Sequence, residues 1–324
     1  MVSGKRELSR WSKSRTLRTL GKGFLLVLTA LCLVWGGGPE VNAQESLGAI
    51  VVSKASEKVA SGFQFTEGPV WHPEGFLIFS DIPANRIVKW TAPGKTATFR
   101  KPSGNSNGLT FDRQGRLIAC EHGNRRVSRT ELDGNVVTLA DKYQGKRLNS
   151  PNDVVVKSDG SIYFTDPPYG TPRGQKELPF NGVFRISPDG KLALLAKDFD
   201  RPNGLAFSPD EKKLYVADTA RSHVRAFDVQ PDGTLKGGKE FVGVSGPDGM
   251  KVDSKGNLYV TSRGITVFDA KGRTIGEIEF PERPANCCFG DADNKALFAT
   301  ARTSLYKVRL KVAGVRVGPA AAKK

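Results

Sequence analysis

The sequence predicts an all-β fold, a six-bladed β-propeller in which an N-terminal strand closes the last blade. Three observations carry the prediction. One segment plan is written six times, each copy holds about four strand-like runs, and a spare apolar run precedes the first copy. The copies begin at Glu67 (EGPVWHPEGFLIFSD), Asn107 (NGLTFDRQGRLIACE), Asn152 (NDVVVKSDGSIYFTD), Asn203 (NGLAFSPDEKKLYVAD), Asp248 (DGMKVDSKGNLYVTS) and Asn286 (NCCFGDADNKALFAT).

Each copy opens on a carboxylate or amide and continues as a short apolar strand. A turn rich in Asp, Gly, Pro or Lys leads into a second strand of Leu, Ile, Val, Phe and Tyr, so the pair reads as an antiparallel hairpin. Two further runs follow, as in RIVKWTA with TATFRK or ITVFDA with IGEIEF. The copy from Asn286 to about Leu310 is too short for four strands. Ala49–Lys54 (AIVVSK) is the strand expected to complete it and protect its edge.

Ahead of the repeats, residues 1–43 read as an export signal, cleaved to leave a periplasmic or secreted protein. Seven Lys and Arg come first, then the apolar run Phe24–Trp35, then the small-x-small site Val41-Asn42-Ala43. The apolar run is short of the ~20 residues of a membrane span, so no stable span is expected after cleavage. The propeller is expected over residues 44–312, with 313–324 as a C-terminal tail. The formal charge of +16 is partly the signal's own. The rest is scattered over turns, which argues against nucleic acid and leaves acidic ligands open. Cys120, Cys287 and Cys288 give no disulfide framework or zinc spacing and read as buried thiols.

In a propeller the first strand of each blade lines the central channel. The opening residues Glu67, Asn107, Asn152, Asn203, Asp248 and Asn286 therefore meet around one axis, and every one carries a side-chain oxygen acceptor. A hard divalent cation satisfies such a set. Calcium is the first expectation, with magnesium, manganese or zinc as alternatives. The competing reading is that Asn-Gly and Asp-Gly here only shape turns.

The motifs FTEGPVWHP, NSPNDVVVKSDGSIYFTDPPYG, RPNGLAFSPDEKKLYVADT, GPDGM and ATARTSLYKVRL resemble, in order, the gluconolactonase and regucalcin family of calcium-dependent lactonases, most closely its bacterial branch. The resemblance runs from about Phe65 to Leu310. It implies that Glu67, Asn152, Asn203 and Asp248 hold the metal, and that Asn107 and Asn286 line the channel. The animal branch has an Arg two residues before the first metal Asn. Ser150 stands there in this chain, with Arg147 or Lys146 as substitutes from the same loop.

The expected activity is hydrolysis of a sugar lactone or related cyclic ester, the metal acting as Lewis acid on the carbonyl. Asp248 is the first candidate for the base and His122 the second. Asn107, Glu121, Asp153, Asp166, Tyr169 and Asn286 are candidate substrate-binding residues, and the long loop Asp166–Pro179 a pocket wall. A calcium-stabilised binding module without enzymatic activity, or a phosphotriester hydrolase at the same metal, are the alternatives. Oligomeric state is not legible.

Overall fold

The computed structural model describes residues 46–53 and 55–319. The expected signal segment lies outside them. Among the described residues, six four-stranded antiparallel sheets follow one another along the chain. Their innermost strands are Thr66–His72, Ser106–Phe111, Val154–Val156, Pro202–Phe207, Met250–Val252 and Pro284–Gly290. Each packs against the inner strand of the next sheet, and the last packs against the first. That cyclic contact makes a closed ring of blades, the propeller the repeats predict.

The hydrophobic core is divided by the same geometry. Six clusters form, each shared by two neighbouring blades. Between blades one and two, for example, Val70, Ile78 and Ile87 meet Leu109, Phe111 and Ala119. Alternate residues of a strand face opposite neighbours, so each blade is hydrophobic on both faces and stable only between two others. Cys120, Cys287 and Cys288 are buried free thiols in these layers.

The ring closes with an N-terminal strand, but not the expected one. Glu57–Ser61 pairs antiparallel with Ser304–Arg309 as the outer strand of blade six. Within Ala49–Lys54, Ala49 and Ile50 end a short helix (Leu47–Ile50), and Val51 makes one isolated bridge to Leu310. The reason is polarity. Ile50 and Val51 are too apolar for an edge and are buried against Tyr259, Ile278 and Tyr306. Glu57–Ser61 buries Val59 and exposes its charged residues, as an outer strand must.

The segment expected as a tail joins the body over its described part. Gly314 bridges Asp253, Val315 N donates to Val252 O (3.1 Å), and Arg113 Nη1 donates to Gly318 O (3.0 Å). It thereby runs from blades five and six to blade two, across the lower mouth of the channel.

Candidate active site at the upper channel mouth

The six opening residues all sit where the chain enters an inner strand. Glu67, Asn107, Asn203 and Asn286 lie within the first residues of theirs, while Asn152 and Asp248 precede Val154 and Met250 by two residues. Glu67, Asn107, Asn152, Asn203 and Asn286 are buried, and Asp248 keeps part of its surface open.

Two repeated devices fix them there. First, a carboxylate at the end of the second strand accepts backbone N–H groups from the loop that leads into the inner strand. Asp81 takes Gln64 N (3.0 Å) and Phe65 N (3.2 Å), and Asp166 takes Asn149 N (2.8 Å) and Ser150 N (2.7 Å). Asp218 takes Asp200 N (2.9 Å) and Arg201 N (3.0 Å). In each blade the held residues lie three and two positions before Glu67, Asn152 or Asn203. Second, a hydroxyl one residue before that carboxylate reaches the next blade. Ser80 donates to Asn107 O (2.8 Å) and Thr165 to Asn203 O (2.7 Å).

The Gly that follows Glu67, Asn107, Asn203 and Asp248 has a different cause from a turn. A Cβ on Gly68 would lie 2.0 Å from Asn107 O, and one on Gly204 would lie 2.3 Å from Asp248 O. Neighbouring inner strands touch at this height, with Gly108 N donating to Asn152 O (2.7 Å). The Glu-Gly, Asn-Gly and Asp-Gly pairs are thus points of close approach between blades.

Above this ring opens a cavity of about 350 Å³. Glu67, Asn107, Asn152, Asn203, Asp248, His122 and Tyr169 all line it. Asp153 and Asn286 are brought together instead in the channel wall, Asn286 Nδ2 lying 3.4 Å from Asp153 Oδ2. Glu121 and Asp166 do not reach the cavity. Asp166 is spent on the loop N–H groups, and Glu121 on Arg100 (3.0 Å), Arg126 (2.7 Å), Asn124 (2.6 Å) and Ser128 (2.5 Å). Lys146 and Arg147 do not line it either: they form a small hairpin with Lys142 and Tyr143, and Arg147 points a guanidinium N–H at Asn124 O. Ser150 Oγ accepts from Gly170 N (2.9 Å), which holds the loop carrying Tyr169 over the cavity.

The family described as the SMP-30/gluconolactonase/LRE-like region matches residues 65–303. The chain belongs to this family. Relatives include a gluconolactonase of Zymomonas mobilis, 39% identical over 297 residues, which cover 81% of this chain and 83% of that one. The solved structure of XC5397 from Xanthomonas campestris, described as a gluconolactonase, is 37% identical with a TM-score of 0.76, over 82% of this chain and 92% of that one. A calcium-binding regucalcin of Agrobacterium tumefaciens shares the fold at 17% identity, with a TM-score of 0.69 over 85% of this chain and 97% of its own.

In this family member the electrostatics of the cavity are unbalanced. Glu67 and Asp248 form no ion pair with a described Lys or Arg. Burial, then repulsion by Asp248 and Asp153, pushes the Glu67 carboxyl well above its usual range. Burial raises Asp248 to about 7, against a smaller downward pull from the Asn203 amide and the more distant Arg283. Like charges held apart from water favour neutral forms unless a cation joins them. The amides are aimed to help. Asn203 Nδ2 donates to Thr219 Oγ1 (3.1 Å), which itself donates to Pro247 O (2.7 Å), so the Asn203 carbonyl oxygen stays unspent. Asn107 Nδ2 lies 3.2 Å from His122 Nε2, and its buried Oδ1 has no hydrogen-bond partner. This all-oxygen donor set fits a hard divalent cation. Among the described residues there is no cluster of three His, Cys, Asp or Glu with metal-binding spacing, and the oxygen set does not need one.

His122 is buried, and desolvation lowers its pKa to about 4, so it is neutral at neutral pH. Sequence reasoning missed Phe65, Ile82, Thr219, Arg283 and Arg302, which also line the cavity. Thr219 carried a signal, since it follows the second-strand Asp of its repeat. Arg302 carried the same signal, since it follows the second strand of its repeat, whereas Arg283 carried none, because it sits on the connection into blade six, far along the chain from the motifs it faces.

Proposed function

We propose that this protein is an exported, calcium-dependent lactonase acting on a monosaccharide-sized lactone of the gluconolactone type. Hydrolysis of the cyclic ester is the activity named for the Zymomonas and Xanthomonas relatives, and makes the chain a carboxylic ester hydrolase. The observation that carries the reading is one small cavity into which four blades send Glu67, Asn152, Asn203 and Asp248, with the two carboxylates lacking a cationic partner in contact among the described residues. A cavity of this size suits a single sugar ring.

Glu67, Asn152, Asn203 and Asp248 would hold the cation. When bound, it supplies Lewis-acid polarisation of the lactone carbonyl and stabilises the charge that develops on its oxygen. The remaining work falls to the side chains. Asp248, at the edge of the same ring of oxygens, would accept the proton of the attacking water. His122, neutral and beside Asn107, orients the water or a substrate hydroxyl. Tyr169 forms the wall that keeps bulk solvent from the ring. Asp81, Asp166 and Asp218 hold the geometry from outside the cavity, and Thr219, which lines it, orients the Asn203 amide.

The test is proton release from a panel of lactones, in calcium and after chelation, for the native chain and Glu67→Gln. Activity that needs the metal and is lost in the variant supports the reading. A chelator-resistant rate, equal in the variant, removes the site assignment. Turnover of phosphotriesters but of no lactone would favour the phosphotriesterase alternative.

A further inference from the structure

The cavity carries charge of both signs, and only its acids are used by the lactonase reading. Arg283 and Arg302 line its blade-six side. Neither forms an ion pair with a described carboxylate. Arg283 is aimed by backbone: Nε donates to Ser262 O (3.0 Å) and Nη2 to Gly246 O (3.1 Å), leaving Nη1 free of a described partner. Arg302 sits in the left-handed region at φ 50°, an unusual place for a residue with a Cβ. Its carbonyl oxygen is pinned there by Thr66 N (2.8 Å) and Thr66 Oγ1 (3.1 Å), next to Glu67. The same bonds that seat Glu67 therefore seat Arg302 at the mouth.

The contrast with neighbouring blades sharpens the point. On blades one and two the guanidiniums near this face are neutralised, Arg86 by Asp81 (3.0 Å) and Arg100 and Arg126 by Glu121. On the blade-six side no described acid pairs with Arg283 or Arg302. A neutral sugar lactone offers two guanidiniums only uncharged hydroxyl and carbonyl acceptors, whereas an oxyanion neutralises them and accepts their forked N–H donors in a bidentate manner.

Resting on the lactonase reading, we propose that the substrate is a lactone bearing an anionic group, a carboxylate or phosphate. The ring carbonyl would lie over Glu67 and Asp248, and the oxyanion against Arg283 and Arg302.

The test uses matched substrates. D-glucaro-1,4-lactone and D-glucono-1,4-lactone differ in a carboxylate against a hydroxymethyl group, and 6-phosphoglucono-1,5-lactone against glucono-1,5-lactone gives the phosphate arm. The expected result is a kcat/KM ratio of anionic to neutral substrate of about tenfold or more at low salt in at least one arm, shrinking as salt rises. The arm with the larger ratio identifies the anion. Arg302→Gln and Arg283→Gln should each bring that ratio toward one, mainly through KM. A ratio at or below one in both arms, or a preference untouched by both variants, overturns the inference while leaving the lactonase reading intact. No hydrolysis of any lactone overturns both.

Discussion

The two mouths of the channel differ in a way that separates size from function. The lower mouth opens on about 1670 Å³, the upper on about 350 Å³. The lower is lined by the far ends of the inner strands, such as Val70, Val155 and Val252, and by the segment Val315–Pro319 that crosses it. Most of its acids are answered: Asp291 pairs with Lys307 (2.7 Å), Asp293 with Arg309, and Glu211 with Lys157 (3.5 Å). Among the described residues, the upper mouth holds the buried Glu67 and the half-buried Asp248 without paired counter-ions and an unpartnered buried amide oxygen of Asn107, beside two exposed guanidiniums that no acid pairs with. Unpaired polar groups held in place at a cost in stability mark a site better than volume does.

The comparison is broken most directly by substitution at the upper mouth. Glu67→Gln or Asp248→Asn should lower kcat/KM about 10³-fold, measured by proton release on a gluconolactone-type substrate. Next come the residues that seat the ring without touching substrate. Asp166→Asn or Thr165→Val should cost about 10–100-fold, with the loss in kcat and in metal affinity. If they leave both unchanged, the loop clamps are only structural.

At the lower mouth the expectation reverses. Ending the chain at residue 312 removes the crossing segment and its bonds to Val252, Ser254 and Asn294. Stability should fall by about 1–3 kcal/mol in a denaturant melt, with kcat/KM held within about twofold. A large activity loss at full folding would mean that the two mouths are coupled.

The smallest effect concerns pH. His122 has a pKa of about 4 in the fold, below its unfolded value of about 6.5, so between those values the unfolded chain binds the extra proton. Its contribution is therefore complete above pH 6.5 and lost as pH falls toward 4. Melting His122→Gln and the native chain across this window should give a shallower slope in the variant.

Much of the fold and of the site is legible in the order of the residues. The six openings can be aligned because each is followed by the same strand and turn pattern, and the ring places the expected four acceptors around one cavity. The closing strand is misplaced by such a reading because apolar character marks burial as readily as pairing, and Ile50 and Val51 are buried in a layer rather than laid along an edge. Glu121 looks equivalent to Asp81, Asp166 and Asp218, yet Arg100 and Arg126 draw it into an ion cluster. Arg283 and Arg302 escape notice because their role depends on ring closure, which brings blade six beside blade one.

The most direct measurement is calcium titration by calorimetry on the native chain, Glu67→Gln and Asp248→Asn. One saturable site per native chain is expected, strongly weakened in both variants, with a rise in melting temperature on binding. Absence of binding in the native chain, or equal binding in all three proteins, would contradict it.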